Sequence, residues 1–494
     1  MGQLNHEVSS YLRRKNDQRP SKQLETRRGR TFFIKMALIQ ETSEECIVSP
    51  LEWFKVLPTQ TAIEKSTTVE YQSLTALRQD VPIEFYVPAT TEDYLDLLSS
   101  RLFIKCRIVK ANGENCGAGD VAAPVNDLLN SLWSNVELYL NDRLISHSNN
   151  MHGYLSMFSH LIHDSEESLE SERAMRLIYK DTPGQMNSVN ANVPNWKQKI
   201  AGFDFTNEGN ALVNEDNVSN HGLYQRYRYT NQSKTVELMG PLRIDMFEQD
   251  RYLPNGIDIK LRFHPQKKSF LLMAADNGFK INITEAYLLM RKVRPSPGVL
   301  LGHSDALVNG PAKFPITRKE CKSFAVAQNL RNFKKDNIFL GQLPKRVVIG
   351  MVHSEAYAGD MQRNPYNFEH FNLNHLQMFV DGEPVRNRPL RPNLPANQYL
   401  QCFETLFRGM NQLDGDRSCI IKRSDWDKGY ALFAFDLTPD MDTDDHYALI
   451  KHGNLRIDIE FAEALENTIS ILVYAEFDNV IEITSDRHIA FDYV

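Results

Sequence analysis

The strongest constraint on the fold is an alternation of apolar and polar residues that recurs in short segments along the chain. Residues 81–87 (VPIEFYV), 257–263 (IDIKLRF) and 455–461 (LRIDIEF) place apolar side chains at every second position. This period is typical of a β-strand with one buried and one solvated face. The continuous apolar runs and regular helices of a parallel α/β sheet are missing from the sequence. The sequence therefore predicts a mainly β protein.

The β-type segments recur in the same order in both halves of the chain. Each half has a hairpin (136–146, 376–386), a helical stretch (150–162, 397–410), a polar loop, and three further strands (234–246, 257–263, 279–293 and 430–437, 455–461, 468–483). The hairpin tips, Asn141-Asp142 and Asp381-Gly382, suit the positive φ angles of two-residue turns. Six elements in the same order indicate two similar antiparallel domains in tandem.

This repeat divides the chain into four parts. The predicted parts are an extension (1–35), a first β domain (36–293) with a polar excursion at 163–233, a Pro- and Gly-rich connector (294–311), and a second β domain (312–494). The excursion contains nine asparagines between Met186 and His221. Loops of this length are usually exposed or functional.

The first 35 residues differ from the rest in charge. They contain nine Lys/Arg and three Asp/Glu, a net charge of +6, in a chain whose net charge is −7. We expect a disordered basic arm, and Met36 stands where the globular pattern begins. A contact with nucleic-acid phosphates is the functional alternative. Its candidate residues are Arg13, Arg14, Lys15, Arg27, Arg28 and Arg30.

An Asp-rich stretch at 436–446 resembles a metal site. Asp440, Asp442 and Asp444 match the opening of a calcium loop, but Asp445 and Lys451 occupy the positions where that loop needs Gly and Glu. We interpret the acids as caps of a short helical turn in 442–450, with a weak cation site as the alternative. No metal or cofactor is predicted.

Motifs of common enzyme classes are missing from the sequence. There is no Walker A loop, HExxH, GxSxG or paired CxxC, and the G-x-G-x-x-A match at 117–122 lies in a β-rich setting. The six cysteines are far apart and are expected to be reduced and buried. We find no apolar run of eighteen residues and no apolar segment in the first thirty, so neither a membrane helix nor secretion is expected. The sequence predicts that the protein is not an enzyme.

Several blocks resemble the major capsid protein of Polinton (Maverick) elements, also called adintoviruses. The most extensive runs from Gly429 to Ile483, and the others are 57–64 (LPTQTAIE), 179–186 (YKDTPGQM), 232–262, 341–350 (GQLPKRVVIG) and 364–382. The resemblance extends from about Met36 to Val494 and leaves the basic arm outside it.

The resemblance implies a hexon-like double jelly roll, with two tandem eight-stranded antiparallel jelly rolls, short helices and long loops. Three copies would form a pseudo-hexagonal capsomer of an icosahedral capsid around double-stranded DNA. The implied partners are further copies of the chain, penton and minor capsid proteins, and packaged DNA. The implied location is the virion, after assembly inside the host cell and without secretion. The excursion 163–233 would be an outer tower, with the loop 387–429 as its counterpart.

Two other functions are compatible with such a chain. A lectin-like, carbohydrate-binding β-sandwich would need exposed aromatics, for which Trp53, Trp196 and Trp426 fall in predicted loops. A genome-integrated capsid relic would keep the fold without a role in virions. A cupin-type enzyme would need clustered histidines, whereas most of the fourteen histidines lie near predicted turns.

Overall fold

The computed structural model describes residues 49–54, 56–78, 80–117, 120–169, 171–188, 219–413, 419–439 and 446–491. The chain divides into two units, Met1–Thr59 and Gln60–Val494. In the described part of the first unit, Ser49–Leu51 forms a 3₁₀ turn, and Trp53 Nε1 donates a hydrogen bond to the Pro50 carbonyl (2.8 Å). All elements below belong to the second unit.

Its described residues form nineteen strands and nine α-helices. The strands are β1 Ile63–Gln72, β2 Ile83–Val87, β3 Tyr94–Lys110, β4 Ala122–Pro124, β5 Trp133–Leu140, β6 Arg143–His147, β7 Val236–Pro241, β8 Ile259–Pro265, β9 Leu272–Ala274, β10 Phe279–Pro295, β11 Ala312–Val326, β12 Asn332–Lys335, β13 Arg346–His353, β14 Leu373–Val380, β15 Glu383–Pro384, β16 Leu432–Asp436, β17 Leu455–Phe461, β18 Ile469–Ile483 and β19 Ile489–Phe491. The helices are α1 Leu128–Ser131, α2 His152–His163, α3 Glu166–Leu169, α4 His221–Thr230, α5 Lys268–Leu271, α6 Pro297–Asn309, α7 Ser354–Ala358, α8 Leu400–Gly409 and α9 Arg423–Trp426. Short 3₁₀ turns lie at Glu172–Arg176, Asn231–Ser233 and Asp245–Phe247.

The strands form two sandwiches with the same pairing order. The first roll consists of sheets β1-β10-β3-β7 and β2-β8-β5-β6, and the second of β11-β18-β13-β16 and β12-β17-β14-β15. In each roll the first strand pairs with a long strand near the end of the roll, β1 with β10 and β11 with β18, and all these pairs are antiparallel. This order is that of an eight-stranded jelly roll. The predicted fold class, mainly β with two tandem jelly rolls, is confirmed.

Local sequence chemistry accounts for the hairpins. Asn141 and Asp142 have φ of 47° and 59°, and Asp381 and Gly382 have φ of 51° and 85°. A two-residue turn matches the twist of its flanking strands when its residues have positive φ. Asn, Asp and Gly tolerate this left-handed conformation and can therefore close such turns. Strand β17 has the bounds that the alternation predicts, and β8 begins two residues later than predicted.

The two rolls stand side by side with corresponding ends together. At the end that carries both hairpin tips, here the lower end, Asn141 Nδ2 donates to the Arg487 carbonyl (3.1 Å). At the opposite, upper end, Gln362 Nε2 donates to the Ala275 carbonyl (2.9 Å). The strand registers place the β6–β7 and β15–β16 connections at the upper end and the β7–β8 and β16–β17 connections at the lower end.

Helix α2 of the first roll packs between the two rolls. Its Phe158 ring lies 5.2 Å from Phe368 and 5.5 Å from Tyr474 of the second roll, between ring centroids. Every residue of α2 except His163 is buried. One continuous apolar core therefore extends through both rolls.

The predicted connector, 294–311, contains a helix that the sequence analysis did not expect. Helix α6 begins with Pro297, which suits the first helical turn because its missing N–H has no partner there. None of its residues is buried, although most are apolar. Tyr94 Oη lies 3.0 Å from His303 Nδ1, which joins the helix to β3.

Candidate functional surfaces

The six candidate DNA-contacting residues, Arg13, Arg14, Lys15, Arg27, Arg28 and Arg30, lie outside the described residues. So do Asp440, Asp442, Asp444 and Asp445 of the Asp-rich stretch. Among the residues that the structure describes, no group of three His, Cys, Asp or Glu side chains is placed to hold a metal ion.

The predicted helical turn in 442–450 is wrong in its described part. Residues 446–450 contain no helix, and the side chains of Leu449 and Ile450 are 81% and 59% exposed. A short helical turn is stabilised mainly by the burial of an apolar face, and these two apolar side chains are exposed instead. At the start of the stretch, the Asp436 carboxylate accepts hydrogen bonds from Thr438 N (2.8 Å) and Oγ1 (2.6 Å), which closes the turn after β16.

No disulfide bond links the cysteines within the described residues, and all of these side chains are buried. Burial raises the pKa of the Cys106 and Cys402 thiols to about 12. Since the thiolate is the nucleophilic form, these two side chains are inert at neutral pH.

The prediction that Trp426 lies in a loop is wrong. This residue ends helix α9 and is fully buried, with its ring 5.1 Å from Tyr399 between centroids and its Nε1 donating to the Leu432 carbonyl (3.0 Å). Trp196 lies outside the described residues, and Trp53 in the first unit is 80% exposed. Among the described residues, Trp53 is therefore the exposed tryptophan that remains for carbohydrate binding.

A large buried polar seam lies between the rolls. Glu476 on β18 accepts a hydrogen bond from Tyr474 Oη (2.7 Å), and its carboxylate lies 3.3 Å from His163 Nε2 and 3.6 Å from Arg346 Nη1. Burial alone would raise the pKa of Glu476, but the hydrogen bond from His163 and the nearby cationic groups outweigh it and hold the pKa well below its usual range. A second ion pair, Glu248 with Lys319, also joins the two rolls.

Sequence reasoning missed this seam, although one signal for it was present. Residues 469–477 (ISILVYAEF) depart from alternation, and all nine are buried. Strands covered on both faces show such runs. The run indicates a second covering layer but does not identify it.

The sheet β1-β10-β3-β7 of the first roll corresponds to the sheet β11-β18-β13-β16 of the second roll. In each roll, we call the side of this sheet that faces away from the sandwich interior the outer face. The outer face of the second roll is covered by α2 and, over β16, by α8. The outer face of the first roll carries Phe103 and Tyr287, stacked at 4.3 Å between ring centroids, and Leu289. Their neighbours along the strands, such as Leu102 and Leu288, belong to the core, whereas Tyr287 and Leu289 are partly exposed.

Charged residues surround this aromatic pair. Lys105 Nζ lies 2.9 Å from Glu237 and 3.9 Å from Glu285. The pKa of Tyr287 is raised, first by desolvation and then by Glu70, Glu285 and Glu237. The first roll therefore presents an apolar centre surrounded by charged residues of both signs, which is a geometry suited to protein contact.

Comparison with known proteins shows which proteins have a similar sequence or fold. No family model matches the chain. An uncharacterised Caenorhabditis elegans protein, F54H12.2, is 22% identical over 453 residues, covering 88% of this chain and 99% of that protein. Among solved structures, a chain of the Sputnik virophage superimposes with a TM-score of 0.62 at 12% identity, covering 92% of this chain and 94% of that one.

Two further solved structures agree. The faustovirus major capsid protein has a TM-score of 0.52 at 9% identity and covers 97% of this chain and 98% of that one. The PBCV-1 virus capsid chain has a TM-score of 0.51 at 10% identity, with 89% and 99% covered. The fold is the double jelly roll of viral capsid proteins.

The PBCV-1 and faustovirus structures are those of capsid proteins. No helix within the described residues is long and apolar enough to cross a membrane.

Proposed function

We propose that this chain is a major capsid protein that forms homotrimeric, pseudo-hexagonal capsomers. The observation that carries the proposal is the pair of jelly rolls with identical strand order, standing side by side with corresponding ends together. Three such chains supply six similar sandwiches around a three-fold axis, which is a closed arrangement. The function then lies in shape and contacts and needs no reactive group.

The finer assignment is to an icosahedral capsid of a Polinton/Maverick-type, adintovirus-like element that packages double-stranded DNA. Its support is the resemblance of the blocks between Met36 and Val494. The location is the virion, after assembly inside the host cell. Neighbouring capsomers, penton proteins and minor capsid proteins are the partners, and the arm at 1–35 makes non-specific contact with the genome.

The two ends of the molecule have different roles in this proposal. The described parts of 163–233 and 387–429 both lie at the upper end, so this end faces outward and carries the towers. Strand β1 begins at the lower end, beside Pro295, and that end faces the capsid interior.

Light scattering and negative-stain microscopy of the purified full chain test the proposal. We expect a particle of about 170 kDa, three times the 56.9 kDa chain, with a hexagonal outline. A stable monomer of 56.9 kDa that binds glycans would contradict it and favour the lectin-like alternative.

A genome-integrated capsid relic is the second candidate, because the similar full-length protein F54H12.2 comes from an animal, C. elegans. Co-expression with penton and minor proteins distinguishes the two. A capsid protein forms closed shells that protect DNA from nuclease, whereas a relic forms capsomers at most.

A further inference from the structure

The two rolls differ in how their outer faces are covered. In the second roll, the register aligns Cys321, Tyr474, Val348 and Ala434 in one row across the sheet, and all four are buried. In the first roll, the row through Tyr287 consists of Gln72, Tyr287, Phe103 and Met239. Of these, only Phe103 is buried. Both rows have a tyrosine, on β10 and on β18, but among the described residues only the second roll has a layer above it.

Part of the layer that covers the second roll comes from the first, and the rest is the second roll's own α8, which packs on Ala434 of β16. Helix α2 lies in the β6–β7 connection of the first roll, and its Phe158 packs on Tyr474. The corresponding connection of the second roll, between β15 and β16, contains α8. Only one side of α8 is buried, through residues such as Cys402 and Leu406.

The other side of α8 is apolar and incompletely covered. Leu400 is 56% exposed, and Phe403 and Phe407, whose rings meet edge to face at 4.9 Å, are partly exposed. Within the described residues, each chain therefore has an outer face without a covering layer, in the first roll. It also has a helix in the β15–β16 connection, α8, whose apolar outer side is partly exposed.

The charges of the two surfaces can also pair. The outer face of the first roll carries Glu70, Glu237 and Glu285 around its aromatic pair, with Lys105 between Glu237 and Glu285 and with Arg101 opposite Leu289. Residues 385–413 of the β15–β16 connection contain four arginines and a single acidic residue, Glu404; the arginines are Arg386, Arg388, Arg391 and Arg408. Acidic and basic patches of this kind fix the register of an interface and exclude wrong partners.

We propose that the outer face of the first roll, centred on Tyr287 and Leu289, is the docking surface for a second copy of this chain. The second copy docks through the side of its own β15–β16 connection that carries Leu400 and Phe403. This inference rests on the proposed trimer, and it repeats between chains the contact that α2 already makes within one chain. The interface is heterologous, and it closes after three copies because each copy supplies two of six sandwiches.

The Leu289→Arg variant tests the face. Leu289 is partly exposed in the single chain, so the substitution leaves the roll folded but places a charge at the centre of the contact. We expect the mass in light scattering to fall from about 170 kDa to 56.9 kDa, while circular dichroism shows that the monomer is still folded. The matched control is Asn282→Arg, at an exposed position of the same strand, which is expected to stay trimeric.

The Leu400→Arg variant tests the occupant and is also expected to be monomeric. Each variant keeps one intact half of the interface, so an equimolar mixture is expected to form a two-chain species of about 114 kDa, twice the mass of one chain. A trimeric Leu289→Arg overturns the proposed face. A trimeric Leu400→Arg, or a mixture without the two-chain species, overturns the proposed occupant. In each case the unmodified chain is still trimeric, whereas an unmodified monomer refutes the proposed function itself.

Discussion

A fully buried ion pair is the most demanding contact at the scale of single residues. Arg226 Nη2 lies 2.8 Å from Asp181 Oδ1, and its other nitrogens donate to the carbonyls of Pro124 and Tyr179. Asn364 of the second roll donates to the other Asp181 oxygen (3.0 Å). The pair thus joins the two rolls beneath the upper connections.

We expect Arg226→Met to lower the free energy of unfolding by about 3–5 kcal/mol, because it leaves the Asp181 carboxylate buried without its cation. Denaturant titration measures the change. The control is Arg228→Met on the exposed side of the same helix, for which the change is expected within about 0.5 kcal/mol. Equal values for the two variants would show that Asp181 is satisfied by its remaining partners.

Buried His152 gives stability a dependence on pH. Its Nδ1 lies 3.0 Å from Ser148 Oγ, and burial lowers the pKa of the imidazole from 6.5 to about 4. Between these values the unfolded chain binds a proton that the folded chain does not, so stability decreases as the pH falls through this window.

The unfolding free energy of the unmodified chain is expected to decrease between pH 7 and pH 4. We expect this decrease to be smaller by roughly 3 kcal/mol in the His152→Gln variant, at about 1.4 kcal/mol per pH unit. Denaturant unfolding at the two pH values measures it. His147→Gln, at an exposed position, is the control. An unchanged pH dependence in His152→Gln would show that the imidazole is protonated inside the fold.

At the scale of elements, glycines show where backbones approach each other. A Cβ at Gly350 of β13 would lie 2.7 Å from the Phe368 ring and 3.0 Å from Leu432, whereas a Cβ at Gly302 in α6 would meet nothing within 4 Å. Strand β13 is close-packed, and helix α6 is open to solvent.

We therefore expect opposite effects from the same substitution. Gly350→Ala overpacks the core and is expected to cost about 1–3 kcal/mol in unfolding free energy. Gly302→Ala reduces backbone freedom in a helix and is expected to slow hydrogen exchange of α6 amides by the equivalent of about 0.5–1 kcal/mol. Calorimetry and hydrogen exchange check the two values, and a stabilising Gly350→Ala would disprove the close packing.

At the scale of the whole molecule, the proposed role of the basic arm depends on charge alone. The net charge of +6 on residues 1–35 predicts DNA binding that weakens as salt rises, because bound phosphates release counterions. We expect the full chain to bind DNA more tightly than a version that starts at Met36, with a steeper dependence on salt. If both versions bind alike across the salt series, the arm does not contact the genome.

The Asp-rich stretch supplies a contrasting prediction. Its residues fail the calcium-loop pattern at Asp445 and Lys451, so we expect Asp442→Asn to assemble like the unmodified chain. Light scattering with and without added calcium measures it. A trimer that depends on calcium and is lost in Asp442→Asn would restore the cation-site alternative.

The sequence by itself determined the features that depend on neighbouring residues. Alternation at 257–263 and 455–461 marks strands that are covered on one face, and Asn141-Asp142 and Asp381-Gly382 close the hairpins because they tolerate positive φ. Because these signals recur in one order, they predicted two similar antiparallel β domains in tandem. The resemblance to capsid proteins implied that the domains are jelly rolls, and the strand pairing confirms this fold class.

Only the tertiary structure decided what covers the second face of an element. The apolar run 469–477 does not reveal that Phe158, more than three hundred residues earlier, packs on Tyr474. The burial of Trp426 and the absence of a helix at 446–450 also follow from distant packing or from its lack. The alternation of apolar and polar residues in one segment indicates which of its faces is buried and which is exposed to solvent. It does not indicate which distant residues cover a buried face, and these decide the packing between layers.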